Sequence, residues 1–179
     1  MGIYGRKRGT LDALFSPAMW TPDGVRSLEG EETFFDRSTL YALRGAFAAG
    51  DTERALDSLE RYSHRRLLGG HVPYAVEWGP QGSQPHLAAE SALYCRVFTE
   101  GLFGIRPTGL HSFVAMPRLP KGWESAWLRN VHAFGSVFDL HLTRAGNKLQ
   151  LDTVLRGRPL HTHVLEPGQQ ATVNLSGEK

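Results

Sequence analysis

Two stretches of this chain gather side chains that could act on a polyhydroxylated substrate. The first carries Trp20, Glu29, Glu31, Glu32, Phe34 and Phe35. The second carries His71, Tyr74, Glu77, Trp78 and Gln81, with His86 just beyond. Carboxyl groups can give and take protons during acetal hydrolysis, and flat aromatic faces stack on the C–H faces of sugar rings. Glu77 stands apart from the other acids because it lies in the otherwise apolar string Tyr74-Ala75-Val76-Glu77-Trp78. Partial desolvation there would raise its pKa, as an acid or base catalyst requires. Glu77 is therefore the candidate catalytic residue, and Trp20, Glu32, Tyr74, Trp78 and His86 are candidate substrate contacts. Acids that precede a helix also serve simply as dipole-favoured neighbours of its N-terminus, which is the plainer role for Glu29, Glu31 and Glu32.

Other reactive residue types fall into no constellation. His161 and His163 are two apart, hence on one face of a strand, but no third ligand accompanies them, so neither a metal nor any other cofactor is expected. Cys95 lies in an apolar helical stretch and reads as a buried structural thiol. Arg65-Arg66 reads as a helix terminator, and Glu90, among alanines, either bonds within a helical wall or meets a substrate. There is no glycine-rich phosphate loop and no GxSxG elbow.

The elements that must position the two stretches follow from periodicity. The first 35 residues are punctuated by Gly2, Gly5, Gly9, Pro17, Pro22, Gly24 and Gly30 and read as loop with one short helix. Leu40, Leu43 and Phe47 then recur at helical spacing, giving a helix over roughly 37–49. A second helix follows at once, with Asp51 placed to cap it and a stripe of Ala55, Leu56, Leu59 and Tyr62, ending in Arg65-Arg66 before Gly69-Gly70. Because only Gly50-Asp51 joins them, the two helices fold back as an antiparallel hairpin. A third helix begins at Pro85 and runs to Phe98; small or apolar on most faces, it reads as packed on all sides. The direction reverses twice, so the loops before the first and third helices share one end of the layer.

Beyond Ile105 the period becomes two. A Pro-rich connection with Pro107, Pro117 and Pro120 leads to a run at Trp127–Val131. Alternating runs follow over 138–143, 149–156 and 170–175, with turns at Ala145–Lys148 and Glu166–Gly168. The chain thus reads as α+β: N-terminal helical hairpins forming a partial α/α toroid over 1–105, then an antiparallel β-sandwich-like domain over 106–179.

Composition agrees with a folded protein. Of 179 residues, 41% are hydrophobic and 21% charged, with four Trp, five Tyr and nine Phe. A net charge of +2 with scattered basic residues argues against a nucleic-acid partner. One cysteine excludes an internal disulfide. No apolar run approaches the ~18 residues of a membrane span, and Met1–Leu14 lacks a signal peptide's apolar centre, so no membrane partner is expected. The location reads as cytoplasmic, unless an upstream segment carries a targeting signal.

The string Glu77-Trp78-Gly79-Pro80, His86-Leu87-Ala88-Ala89-Glu90-Ser91-Ala92-Leu93-Tyr94, Glu100-Gly101-Leu102-Phe103-Gly104-Ile105-Arg106-Pro107 and Pro117-Arg118-Leu119-Pro120 resembles the C-terminal end of the six-hairpin, (α/α)6-barrel glycosidases, the α-L-rhamnosidase-like superfamily among them. Ala133-Phe134-Gly135-Ser136-Val137-Phe138-Asp139 is similar to a strand that closes many such proteins. The resemblance spans most of Phe34 to Leu165. It implies hydrolysis of glycosidic bonds by two carboxyl groups, with Glu77 as general base and Trp78 as a sugar platform. It also implies a general acid on an earlier barrel helix, which this chain does not contain.

Length makes that departure quantitative. Twelve helices of ~10–14 residues with connections of ~2–8 need at least roughly 150–260 residues, and only about 105 precede the strands. The expectation is therefore the C-terminal portion of a glycosidase acting on oligo- or polysaccharides, incomplete and inactive alone. Its carbohydrate substrate would be joined by an upstream segment or a self-association partner. The alternatives are a non-catalytic carbohydrate-binding module or a structural interaction module.

Overall fold

The computed structural model describes residues 4–67, 78–79 and 88–176, in two units, Met1–Phe98 and Thr99–Lys179. The first unit is helical. Helix α1, Lys7–Leu14, buries none of its residues. Helix α2, Asp36–Ala48, turns Leu40, Leu43, Ala46 and Phe47 inward, as their spacing dictates. Gly50, at φ +86°, reverses the chain into α3, Thr52–Tyr62. A wide helical turn, Ser63–Leu67, continues α3, and α4, Ala88–Arg96, is followed by a second wide turn, Val97–Leu102.

Two local features differ from what the sequence predicts. Asp51 occupies the position before α3 but makes no capping bond. Its carboxylate instead accepts from Arg54 Nε at 2.8 Å, and Arg54 also reaches Asp12 of α1 at 3.0 Å. A guanidinium one turn away competes successfully for the capping oxygen. Helix α4 is not packed on all sides either. Glu90, Leu93 and Val97 are buried, while Ala89, Ala92, Cys95 and Arg96 are exposed, so Cys95 is a surface thiol. Ala and Cys carry too little apolar surface to force their face inward, and three of them at a spacing of three lie along one side.

Before α2 the chain is irregular. Isolated pairings join Trp20 to Val25 and Arg26 to Phe34, and a short strand β1, Phe34–Phe35, pairs antiparallel with β2, Trp78–Gly79.

The second unit is all antiparallel. Strands β3, Arg106–Gly109, and β4, Ser112–Ala115, form a hairpin inside what the sequence reads as a Pro-rich connection. Pro107 is tolerated because β3 lies at a sheet edge. Strands β5, Ser125–Ala133, β6, Ser136–Ala145, β7, Lys148–Leu155, and β8, Arg158–Leu165, follow as a four-stranded meander. The last strand, β9, Ala171–Asn174, returns to pair with β4, giving sheet orders β3-β4-β9 and β5-β6-β7-β8. Phe113 of β4 stacks on Phe138 of β6 at 5.4 Å, so the two sheets pack face to face around Phe113, Phe138, Leu140, Leu142, Leu151 and Val173. The fold class is thus α+β, helices first and antiparallel sheets after.

Strand β5 carries a bulge. Leu128 faces Leu140 and Val131 faces Phe138, so three steps on one strand match two on the other. Asn130, at φ +53°, donates its N–H to Asp139 Oδ1 at 2.7 Å. The segment leading into the sheets belongs with them. Ile105 N–H donates to Thr99 O at 2.9 Å and Arg118 N–H to Leu102 O at 2.7 Å. Gly104 sits here at φ +64°, where a Cβ would fall 2.3 Å from Met116 O, so glycine is required. Among the described residues no helix is long and apolar enough to cross a membrane.

Candidate functional site

The end of the helical unit is fixed by charges in the first turns of two helices. Arg37 lies in the first turn of α2 and Glu90 in that of α4, and their Nε and Oε1 atoms lie 3.8 Å apart, so the two N-termini stand together. The chain segments that precede those helices meet as well, because Phe34 pairs with Gly79 and Phe35 with Trp78 through their backbones. The double reversal read from the sequence therefore has its counterpart in the register of β1 and β2.

Several side chains hold the first segment against this end. Asp36 is fully buried, with Arg66 Nε and Nη2 at 3.3 and 3.4 Å from its two oxygens, and the Arg66 guanidinium covers the Phe34 ring at 5.1 Å. Arg65 pairs with Asp23 at 2.5 Å, which raises the guanidinium pKa above its ordinary value. The two arginines read as a helix terminator are thus cross-links from the end of α3 to the loop and to α2. Burial, with Asp36 adding to it, pushes the Tyr62 phenol well above its usual range. Thr39 completes the entry to α2: its hydroxyl accepts from Val25 N–H at 2.9 Å and donates to Phe35 O at 3.1 Å.

Glu90 is the least compensated of these groups. It is 1% exposed, and its Oε2 has no hydrogen-bond partner among the described residues. A buried polar oxygen without a partner is costly unless a donor meets it, and a substrate hydroxyl is such a donor. Two buried acidic side chains, each facing a guanidinium at one end of a helical layer, can orient the hydroxyls of a ligand.

The sequence-predicted residues fall unevenly. Trp20 is half-buried, with one face on Phe15 at 5.3 Å and an interplanar angle of 24°, and Phe15 in turn lies under the Arg54 guanidinium. Glu32 is exposed and pairs with Arg26 at 3.1 Å; Arg26 also donates to the Glu31 carbonyl. Both belong to the loop that ends in β1. The backbone of Trp78 is opposite Phe35, whereas Tyr74, Glu77 and His86 lie outside the described residues. Asp36 and Arg37 do not stand out in the sequence, and Arg66 reads there only as part of a helix terminator. The available signal was an acid at the first position of an apolar helix with an arginine pair at the end of the next one. Among the described residues no three of His, Cys, Asp and Glu converge as a metal site.

No family model matches the chain, and no curated protein matches it. Among solved structures it is similar to a protein named "Sialidase", with a TM-score of 0.61 and 13% sequence identity over 96% of this chain and 19% of that one. The chain thus spans about one fifth of the length of that protein, and at this identity the likeness shows a shared fold.

Proposed function

We propose that the chain is the C-terminal portion of a glycosidase of the six-hairpin, α-L-rhamnosidase-like type, hydrolysing glycosidic bonds of oligo- or polysaccharides only when the rest of a helical barrel is supplied. The observation that carries this reading is the pairing of Phe34-Phe35 with Trp78-Gly79, which joins the acid- and aromatic-rich segments at the ends of α2 and α4. The fold shared with part of a sialidase, itself a glycoside hydrolase, supports it.

In this reading Glu77, next in sequence to Trp78, is the general base, and Trp78 is the platform under the sugar ring. Trp20, Glu32, Tyr74 and His86 contact the substrate from the flanking segments. Asp36 and Glu90, held by Arg66 and Arg37, form a charged floor that fixes the ring hydroxyls. The general acid comes from outside the chain.

Nitrophenol release from a panel of aryl glycosides tests this. The chain alone is expected to release none, while a polypeptide carrying this chain behind its upstream hairpins is expected to turn over. Glu77→Gln should then cut kcat by at least about 100-fold with the unfolding midpoint unchanged. Full activity in Glu77→Gln sinks the assignment of the base. Oligosaccharide binding with no hydrolysis in any assembled form makes the chain a binding module instead.

A further inference from the structure

The meander contains two hairpin turns built alike at the same end of the sheet. Phe134-Gly135 joins β5 to β6 between the paired residues Ala133 and Ser136, and Arg156-Gly157 joins β7 to β8 between Leu155 and Arg158. Both turns have positive φ at both residues: +54° and +68° in the first, +51° and +77° in the second. That geometry favours Asn-Gly or Asp-Gly, and a long side chain at the first position is strained. Phe134 has a compensation, since its ring stacks on Phe113 at 5.1 Å and joins the core. Among the described residues Arg156 has none. Its backbone N–H reaches Val137 O at 3.4 Å, but among the described residues its guanidinium makes no hydrogen bond, ion pair or ring contact, and neither does that of Arg158.

Both arginines line a groove of about 950 Å³, together with Leu160, His161, Asn174 and Ser176. Among the described residues no carboxylate contributes to its wall. The polar groups behind the arginines are preset. His161 Nε2–H donates to the Asn174 carbonyl at 3.1 Å, and the Ser176 backbone N–H donates to Asn174 Oδ1 at 3.0 Å. Two unpaired planar forks, a fixed imidazole and an apolar stretch at Pro159-Leu160 make a surface that takes a carboxylate in bidentate fashion beside a C–H face.

We propose that this groove, formed by β8, its preceding turn and β9, is a binding site for a carboxylate-bearing sugar such as a uronic acid, with Arg156 and Arg158 holding the carboxylate. The strained arginine is retained at a position where asparagine would be more stable because its fork is needed for the ligand. The site is independent of Glu77 and of the helical unit, so it stands or falls separately from the glycosidase reading.

The test is titration of the full chain with sodium glucuronate, glucose and sodium sulfate, followed by amide chemical shifts and by calorimetry, in wild type, R156N and R158Q. Glucuronate is expected to shift the resonances of residues 155–161 and 174–176, and its affinity to fall at least about tenfold in each variant. Glucose is expected not to bind. R156N should nonetheless raise the thermal midpoint by about 2 °C, since it relieves the turn. Three results each overturn the proposal: undiminished glucuronate affinity in R156N, glucose binding as tightly as glucuronate, or no glucuronate binding by the wild-type chain. Sulfate binding as tightly as glucuronate would reduce the site to a general anion contact and overturn the sugar assignment.

Discussion

The helical unit and the sheet unit bury different kinds of atoms. Inside the helical unit lie Asp36 and Glu90, with Thr21, Thr39 and Ser58, whereas among the described residues of the sheet unit Thr153 is the one buried polar residue. The sheet interior is instead a stack of Phe113, Phe134 and Phe138 surrounded by leucines. Dry aromatic packing gives stability and a unique arrangement, while buried charge costs stability unless every lone pair is met. The helical unit tolerates that cost at the end where its loops converge, which is where a chemical role would demand it.

Three perturbations bear on this contrast. The largest effect is expected in the sheet unit: Phe113→Ala removes the ring that contacts both Phe134 and Phe138 and should destabilise by about 3–5 kcal/mol, read from urea midpoints of the second unit. Survival with a loss under about 1 kcal/mol would mean that the aromatic stack does not organise the sandwich. Next, Asp36→Ala leaves the largely buried Arg66 guanidinium without its carboxylate and should cost about 3 kcal/mol. The double variant Asp36→Leu, Arg66→Met should recover most of the loss, since it removes both charges. If it recovers nothing, packing rather than charge explains the single variant.

The smallest effect concerns His163, whose Nε2 is buried without a partner among the described residues. Desolvation first, and the neighbouring His161 second, hold its pKa below the ordinary value. A histidine depressed in the fold binds protons more readily when unfolded. Stability is therefore flat above the ordinary histidine pKa near 6.5 and declines as pH falls from there toward the depressed folded value. His163→Gln should flatten that decline below about pH 6.5. An unchanged slope in thermal melts would assign the acid sensitivity to other groups.

Much of the scaffold was legible because its apolar residues repeat strongly. Leu40, Leu43 and Phe47 define α2 and its buried face, and the alternation of Phe138, Leu140 and Leu142 defines β6. What escaped had weak or mixed signals. The outward side of α4 is made of Ala89, Ala92 and Cys95, which look apolar in sequence yet meet solvent. The β3–β4 hairpin hides behind Pro107, and of β8 the sequence shows only a strand face with His161 and His163, since histidines stand where aliphatic residues usually give the pattern away. At the candidate site, the adjacency of the two loops followed from chain reversal. The Asp36–Arg66 and Arg37–Glu90 pairs did not, because long-range partners leave no spacing to read.

The irregularity at Asn130 has a further consequence for how β5 can change. Since one residue there is surplus to the pairing, losing it would leave Leu128 opposite Leu140 and Val131 opposite Phe138, so both flanks would keep their orientation. A deletion one turn of the pleat away would swap inside for outside over the remainder of the strand. Length variation in this strand is thus confined to a single tolerant spot, and it is the Asp139 carboxylate that marks it.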